Sequence, residues 1–154
     1  MNEEVSQKLA GSLNSLRVIF GGLLFGMLSF LLVMTVIIKS GSQQTDSNEL
    51  FQLIAPIFMV TAVSVSIFLR KSTLAKVHNE TNPLNLIKTY TSNRIIQMGM
   101  VEASIIFAIV CFMITSNLYF VILSGIGILY FISLFPIRKK VVAQLKLDSP
   151  VGFQ

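Results

Sequence analysis

Charge is scarce in this chain. Of its 154 residues only 12% are Asp, Glu, Lys or Arg, about half the share a soluble domain of this size carries. Too few charges remain to coat a water-facing surface, so an ordinary soluble globule is excluded. Cysteine is nearly absent too. Cys111 is the sole thiol, which rules out an intramolecular disulfide and any metal site built on thiolates. The bland reading, a small apolar packing residue, suits it. Histidine is equally sparse, with His78 alone. No second His, Cys or carboxylate stands at ligand spacing beside it, and no Ser-His-Asp arrangement, phosphate loop or dinucleotide fingerprint can be assembled. The sequence therefore names no catalytic residue, no metal and no cofactor, and implies that the protein is not an enzyme.

What the chain has instead is long apolar runs. Residues 16–38, 50–69, 95–115 and 118–137 each hold about 20 residues, the length a helix needs to cross a hydrocarbon core of ~30 Å. The expected fold class is all-α, a transmembrane four-helix bundle made of two antiparallel hairpins. It forms one integral membrane domain over residues 1–154, with a polar connection at 70–94. The first run is too long for a signal-peptide core and follows a polar arm, so it is expected to stay as the first helix.

The formal charge of +5 follows the membrane. Lys8 precedes the first run and Arg17 stands at its leading edge. Arg70, Lys71, Lys76, Lys88 and Arg94 occupy the second connection, and Arg138, Lys139, Lys140 and Lys146 follow the fourth run; Lys39 alone falls on the other side. Cytoplasmic loops hold the excess of Lys and Arg, which predicts both termini in the cytoplasm of a bacterial inner (plasma) membrane. The cations read as topology determinants and contacts to membrane lipids. No motif supports nucleic-acid binding.

Local signals refine the picture. Val5, Leu9, Leu13 and Leu16 recur at helical spacing in the N-terminal arm, predicting an amphipathic helix that lies along the inner leaflet or continues into the first span. Asn82-Pro83 reads as a helix start, because Asn caps and proline at the first helical position loses no needed donor. The third helix should therefore run from about 83 to 115, longer than the bilayer core is thick. Asp46 and Ser47 are candidate caps for the second helix. Pro56 is a possible kink in that helix. Thr115-Ser116-Asn117 is short enough to force the third and fourth helices antiparallel. Pro136 is the expected stop of the fourth, with a short amphipathic helix resuming over 141–147.

Small residues mark candidate packing faces. Gly22 and Gly26 form a small-xxx-small pair in the first run, Gly99 and Ala103 begin a small strip in the third that continues through Ser104, Ala108 and Cys111, and Gly125 lies in the fourth. Such strips let another backbone approach closely, either within the chain, in a membrane protein partner or in a second copy.

Glu102 is the one ionisable residue well inside a run. A carboxylate near the bilayer centre costs about 2.5–3.5 kcal/mol on insertion scales. The small strip beside it places it toward the packed side of its helix. Ser64, Ser66, Tyr130 and Ser133 lie at similar depth, so the expectation is a polar cluster with Glu102 at its centre, hydrogen-bonded and protonated. Two readings stand: polar glue between helices, or a proton or cation relay.

Two resemblances bear on these readings. Asn93-Arg94-Ile95-Ile96, Glu102-Ala103, Phe107, the Thr115-Ser116-Asn117 turn, Pro136 and Leu145-Lys146-Leu147 resemble a group of uncharacterised four-span membrane proteins of a type met in Bacteroidetes. That resemblance covers residues 83–148 and implies the four-span fold without an activity. Residues 99–114, GMVEASIIFAIVCFMI, resemble the carboxylate helix of proteolipid (c-type) subunits of rotary ATPases. It implies ion carriage by Glu102, with Ala103, Ile106 and Phe107 matching the pattern. The run at 50–69 has no glycine, whereas that family packs the equivalent helix through a glycine repeat.

Overall fold

Helix ends are set by a few residues whose chemistry is local. Asn82 adopts an extended conformation and its side-chain oxygen accepts from the Leu84 N–H at 3.0 Å, with Pro83 in the first turn. At the other end of that helix Ser116 takes φ 53° and ψ 18°, and its N–H donates to the Phe112 carbonyl. Asn117 then caps the next helix, accepting from Tyr119 N–H at 2.9 Å. The computed structural model describes residues 3–40, 48–77, 82–138 and 141–142. Four helices follow in order: α1 Glu3–Ser40, α2 Asn48–Val77, α3 Pro83–Thr115 and α4 Leu118–Ser133. No strand occurs among the described residues. His78, the candidate caps Asp46 and Ser47, and residues 143–147 of the expected tail helix lie outside them.

The chain is thus an all-α helical bundle, and α1, α2 and α3 are each long and apolar enough to cross a membrane. The expectation for the fourth run is corrected in length. α4 has 16 residues, about 24 Å at 1.5 Å per residue, and stops three residues short of Pro136. The proline ring would clash with the carbonyl four residues back, and the residue before a proline is pushed out of the helical region. The last turn tightens accordingly, with Leu134 N–H on Phe131 O at 2.9 Å and Phe135 N–H on Ile132 O at 3.1 Å.

Of the two expectations for the N-terminal arm, continuation holds: α1 is one helix of 38 residues. Its Val5, Leu9, Leu13 and Leu16 do not face a leaflet. They are buried against Leu86, Ile87 and Tyr90 of α3 and against Val141 and Val142 beyond α4. A second cluster fills the middle of the bundle, where Phe20 and Met27 meet Met98, Val101, Ile105, Ile109 and Phe131. A third, of Ala55, Cys111, Phe112 and Phe120, closes the far end. α3 contributes to all three and packs on every other helix, while α4 touches α1 and α2 only lightly. It is the pillar of the fold, and its 33 residues are what carry the bundle beyond the apolar zone.

Candidate functional site

Glu102 stands on α3 at the margin between core and surface. Its neighbours in sequence face opposite ways: Val101 and Ser104 are buried, whereas Gly99, Ala103 and Ile106 are exposed. The small strip read as continuous is two stripes. Ser104, Ala108 and Cys111 point inward, and Gly99 and Ala103 point out. A step of one residue turns a helix by about 100°, which separates Ala103 from Ser104. Glu102 itself is half-buried, and no hydrogen bond joins it to a described residue.

Three of the four hydroxyl residues expected around it find other partners, and the fourth, Ser64, is exposed. The Tyr130 hydroxyl donates to Ser66 Oγ across α4 and α2 at 3.5 Å, a long bond. Ser133 donates to the Tyr130 carbonyl at 2.6 Å and is otherwise exposed. Ser64 is exposed and lines an open groove. Tyr130 and Ser66 are therefore brought together, and Glu102 is not brought into hydrogen-bonding contact with any of the four. Nor does the bundle use most of the glycines singled out for packing. A methyl group added at Gly22, Gly26, Gly99 or Gly125 would meet nothing within 4 Å. Gly127 is the close-approach glycine instead: a Cβ there would lie 2.6 Å from Ile105 Cγ1 and 3.0 Å from Met59 Cε.

The polar centre that the structure does build is around Arg94, which sequence reasoning treated as a topology cation and as part of a resemblance string, with no site role. Its guanidinium is partly buried. One terminal nitrogen donates to Gln97 Oε1 at 2.8 Å, and the other donates to the Leu134 carbonyl at 2.9 Å, at the C-terminal end of α4. A cation there complements the negative end of the α4 dipole. The Nε is buried with no hydrogen-bond partner. Tyr90, Arg70 and Tyr130 lie within electrostatic reach of the group. Arg17 sits nearby on α1, its guanidinium 6.0 Å from the Phe135 ring centre. That ring packs edge-on against Phe20, which stacks on Phe131 at 4.8 Å.

A sequence signal for this centre exists. The chain has four arginines, and Arg17, Arg70, Arg94 and Arg138 each stand at the same end of one of the four apolar runs. Lysines are scattered more widely. Arginine holds its charge and offers a planar fork of donors, so one per helix at one level marks a boundary with a specific chemistry.

Above this boundary α2 and α4 splay apart. Pro56, Val60 and Val63 on one side and Leu123, Ile126 and Gly127 on the other form an open groove of about 370 Å³ that ends at Tyr130. Its lining is apolar apart from Ser64 and the tyrosine hydroxyl. Among the described residues no three His, Cys, Asp or Glu side chains are grouped so as to hold a metal ion. No family model matches the chain, and neither a curated protein nor a solved structure matches it.

Proposed function

We propose that this membrane bundle is a multi-pass protein of a bacterial inner (plasma) membrane, with both termini cytoplasmic, and that it serves as a non-enzymatic accessory or structural subunit. The observation that carries this reading is the empty space beside Gly22 and Gly26 on α1 and Gly99 on α3. In lipid there is no hydrophobic drive between helices, so association depends on close backbone approach at small residues. Here those faces are left unused by the chain's own packing and remain open to a helix of a membrane protein partner or of a second copy.

The open space also makes the test clean. A Cβ at Gly22 or Gly26 meets nothing within 4 Å and both positions are exposed, so Gly22→Ile with Gly26→Ile should leave the bundle folded as before. Native mass measurement of the full chain in mild detergent should give a complex for the wild type and a lone chain for the double variant. A wild type that elutes alone, or a double variant that keeps its companion, would sink the reading.

A second reading has one observation in its favour. Glu102 is a half-buried carboxyl within an apolar helix, and its side chain has no hydrogen-bond partner among the described residues. A carboxyl that is costly in lipid and has no described partner fits an ion carrier, as the proteolipid resemblance implies. Reconstituted into vesicles alone, such a protein moves protons or Na⁺, and Glu102→Gln abolishes the flux with folding intact. Equal flux in the two proteins, or none in the wild type, rejects it.

A further inference from the structure

Tyr130 joins two features that have so far stood apart. It closes the apolar groove between α2 and α4, and it lies within reach of the Arg94 charge while bonding to Ser66. Arg70 follows Ser66 by four residues on α2, one turn further toward the basic end. Moving down the groove, a ligand would therefore meet hydrocarbon walls, then a phenol, then two guanidinium groups.

The charges at that end are uncompensated within the described chain. Neither Arg70 nor Arg94 is ion-paired to a described carboxylate, and Arg94 lies within electrostatic reach of the like charge on Arg70. Arg94 has two donors committed, to Gln97 and Leu134, and an unmatched Nε. Arg70 is exposed, and it lies one turn beyond Ser66, the residue that Tyr130 bonds to. Two cations within electrostatic reach of each other and without a described carboxylate call for a shared anion. The guanidinium fork matches phosphate oxygens, and basic pockets between membrane helices bind lipid headgroups.

The dimensions of the groove select the rest of the ligand. Its α2 wall runs from Pro56 to Ser64, about 12 Å at 1.5 Å per residue. The groove has a volume of about 370 Å³ and is open along one side. A hydrocarbon chain is thin enough to fit, and the apolar lining suits one.

We propose that the α2–α4 groove holds one anionic phospholipid, with an acyl chain between Val60 and Ile126 and its phosphate on Arg70, backed by Arg94. The site requires both parts. The groove gives length and shape, and the arginines select headgroups that carry net negative charge over zwitterionic ones. It stands independently of whether the glycine faces bind a partner.

Arg94→Gln would also untie the end of α4, so the deciding variant is Arg70→Gln, which breaks no hydrogen bond among the described residues. The full chain, purified in detergent and stripped of lipid, is examined by native mass spectrometry with dioleoyl phosphatidylglycerol, dioleoyl phosphatidylcholine or inorganic phosphate added. The wild type should retain one phosphatidylglycerol and hold phosphatidylcholine roughly fivefold more weakly, the factor that one interfacial arginine typically provides. Arg70→Gln should lose that preference. Ile126→Trp, at an exposed wall position, should weaken both lipids by blocking the groove. Inorganic phosphate should neither remain bound nor displace the lipid. Equal retention of the two lipids, an Arg70→Gln protein that keeps the preference, an Ile126→Trp protein that binds like wild type, or displacement by free phosphate would each overturn the proposal.

Discussion

At Gly127 a methyl group has nowhere to go. The hypothetical Cβ lies 2.6 Å from Ile105 Cγ1, well inside contact distance. Gly127→Ala should therefore destabilise the bundle by about 1–3 kcal/mol, the usual cost of overpacking a filled core, measured by unfolding in mixed detergent. Shortening the neighbour with Ile105→Val should recover part of that loss, and a double variant no better than Gly127→Ala alone would show that Ile105 is not the obstacle. The contrast with Gly22 and Gly26 is instructive. Those two have the small-xxx-small spacing in the sequence, yet they face outward with open space above them. Gly127 is the one beneath another helix. Spacing reports that a close approach is possible, while only packing decides where it happens. Arg94 carries the same lesson. Its place at the edge of an apolar run was plain, but its bond to Leu134, 40 residues away, depended on where α4 stops.

At the level of elements the turn between α3 and α4 is the tightest piece of local chemistry. Ser116 is the only described non-glycine residue with positive φ, a conformation in which a side chain is strained and glycine is not. Ser116→Gly should raise stability by about 0.5–1 kcal/mol, and Ser116→Val should lower it by at least as much, since a β-branched residue fits the left-handed region worst. A thermal melt followed by circular dichroism in detergent separates the two, and a destabilised glycine variant would contradict the strain argument. The Asn82 cap was legible in advance, because Asn before a helix start signals itself through a bond two residues away, whereas Asn117 was read only as part of the short turn. The early end of α4 was half legible. Pro136 marked the stop, but the helix ends at Ser133 because the constraint acts on residues before the proline, and the freed Leu134 carbonyl is then taken by Arg94.

For the molecule as a whole, the bundle is two environments joined by one helix. The apolar stretches of α1, α2 and α3 suit hydrocarbon. The basic end carries its own core of α1, α3 and tail residues, beyond the apolar runs. Leu9 is buried to 1% exposure there. If that end is in water, the hydrophobic effect holds it together in a way it cannot hold helices in lipid. Leu9→Ala should then cost about 2–5 kcal/mol. It should also raise protease sensitivity at the basic end before the apolar zone is affected. Uniform loss of stability along the whole chain would instead mean that the two cores unfold as one.

The sequence by itself determined the solvent, the helix count and most helix boundaries, since these follow from run length, charge scarcity and caps that act over a few residues. It also showed an amphipathic face on the first arm. What that face packs on, which glycine is crowded, why Glu102 makes no bond to Tyr130 or the serines, and how Arg94 reaches the end of α4 were decided by the tertiary structure alone. Each of these depends on the rotation of one helix against another. That angle is set by the fit of side chains far apart in the chain, and neither composition nor spacing records it.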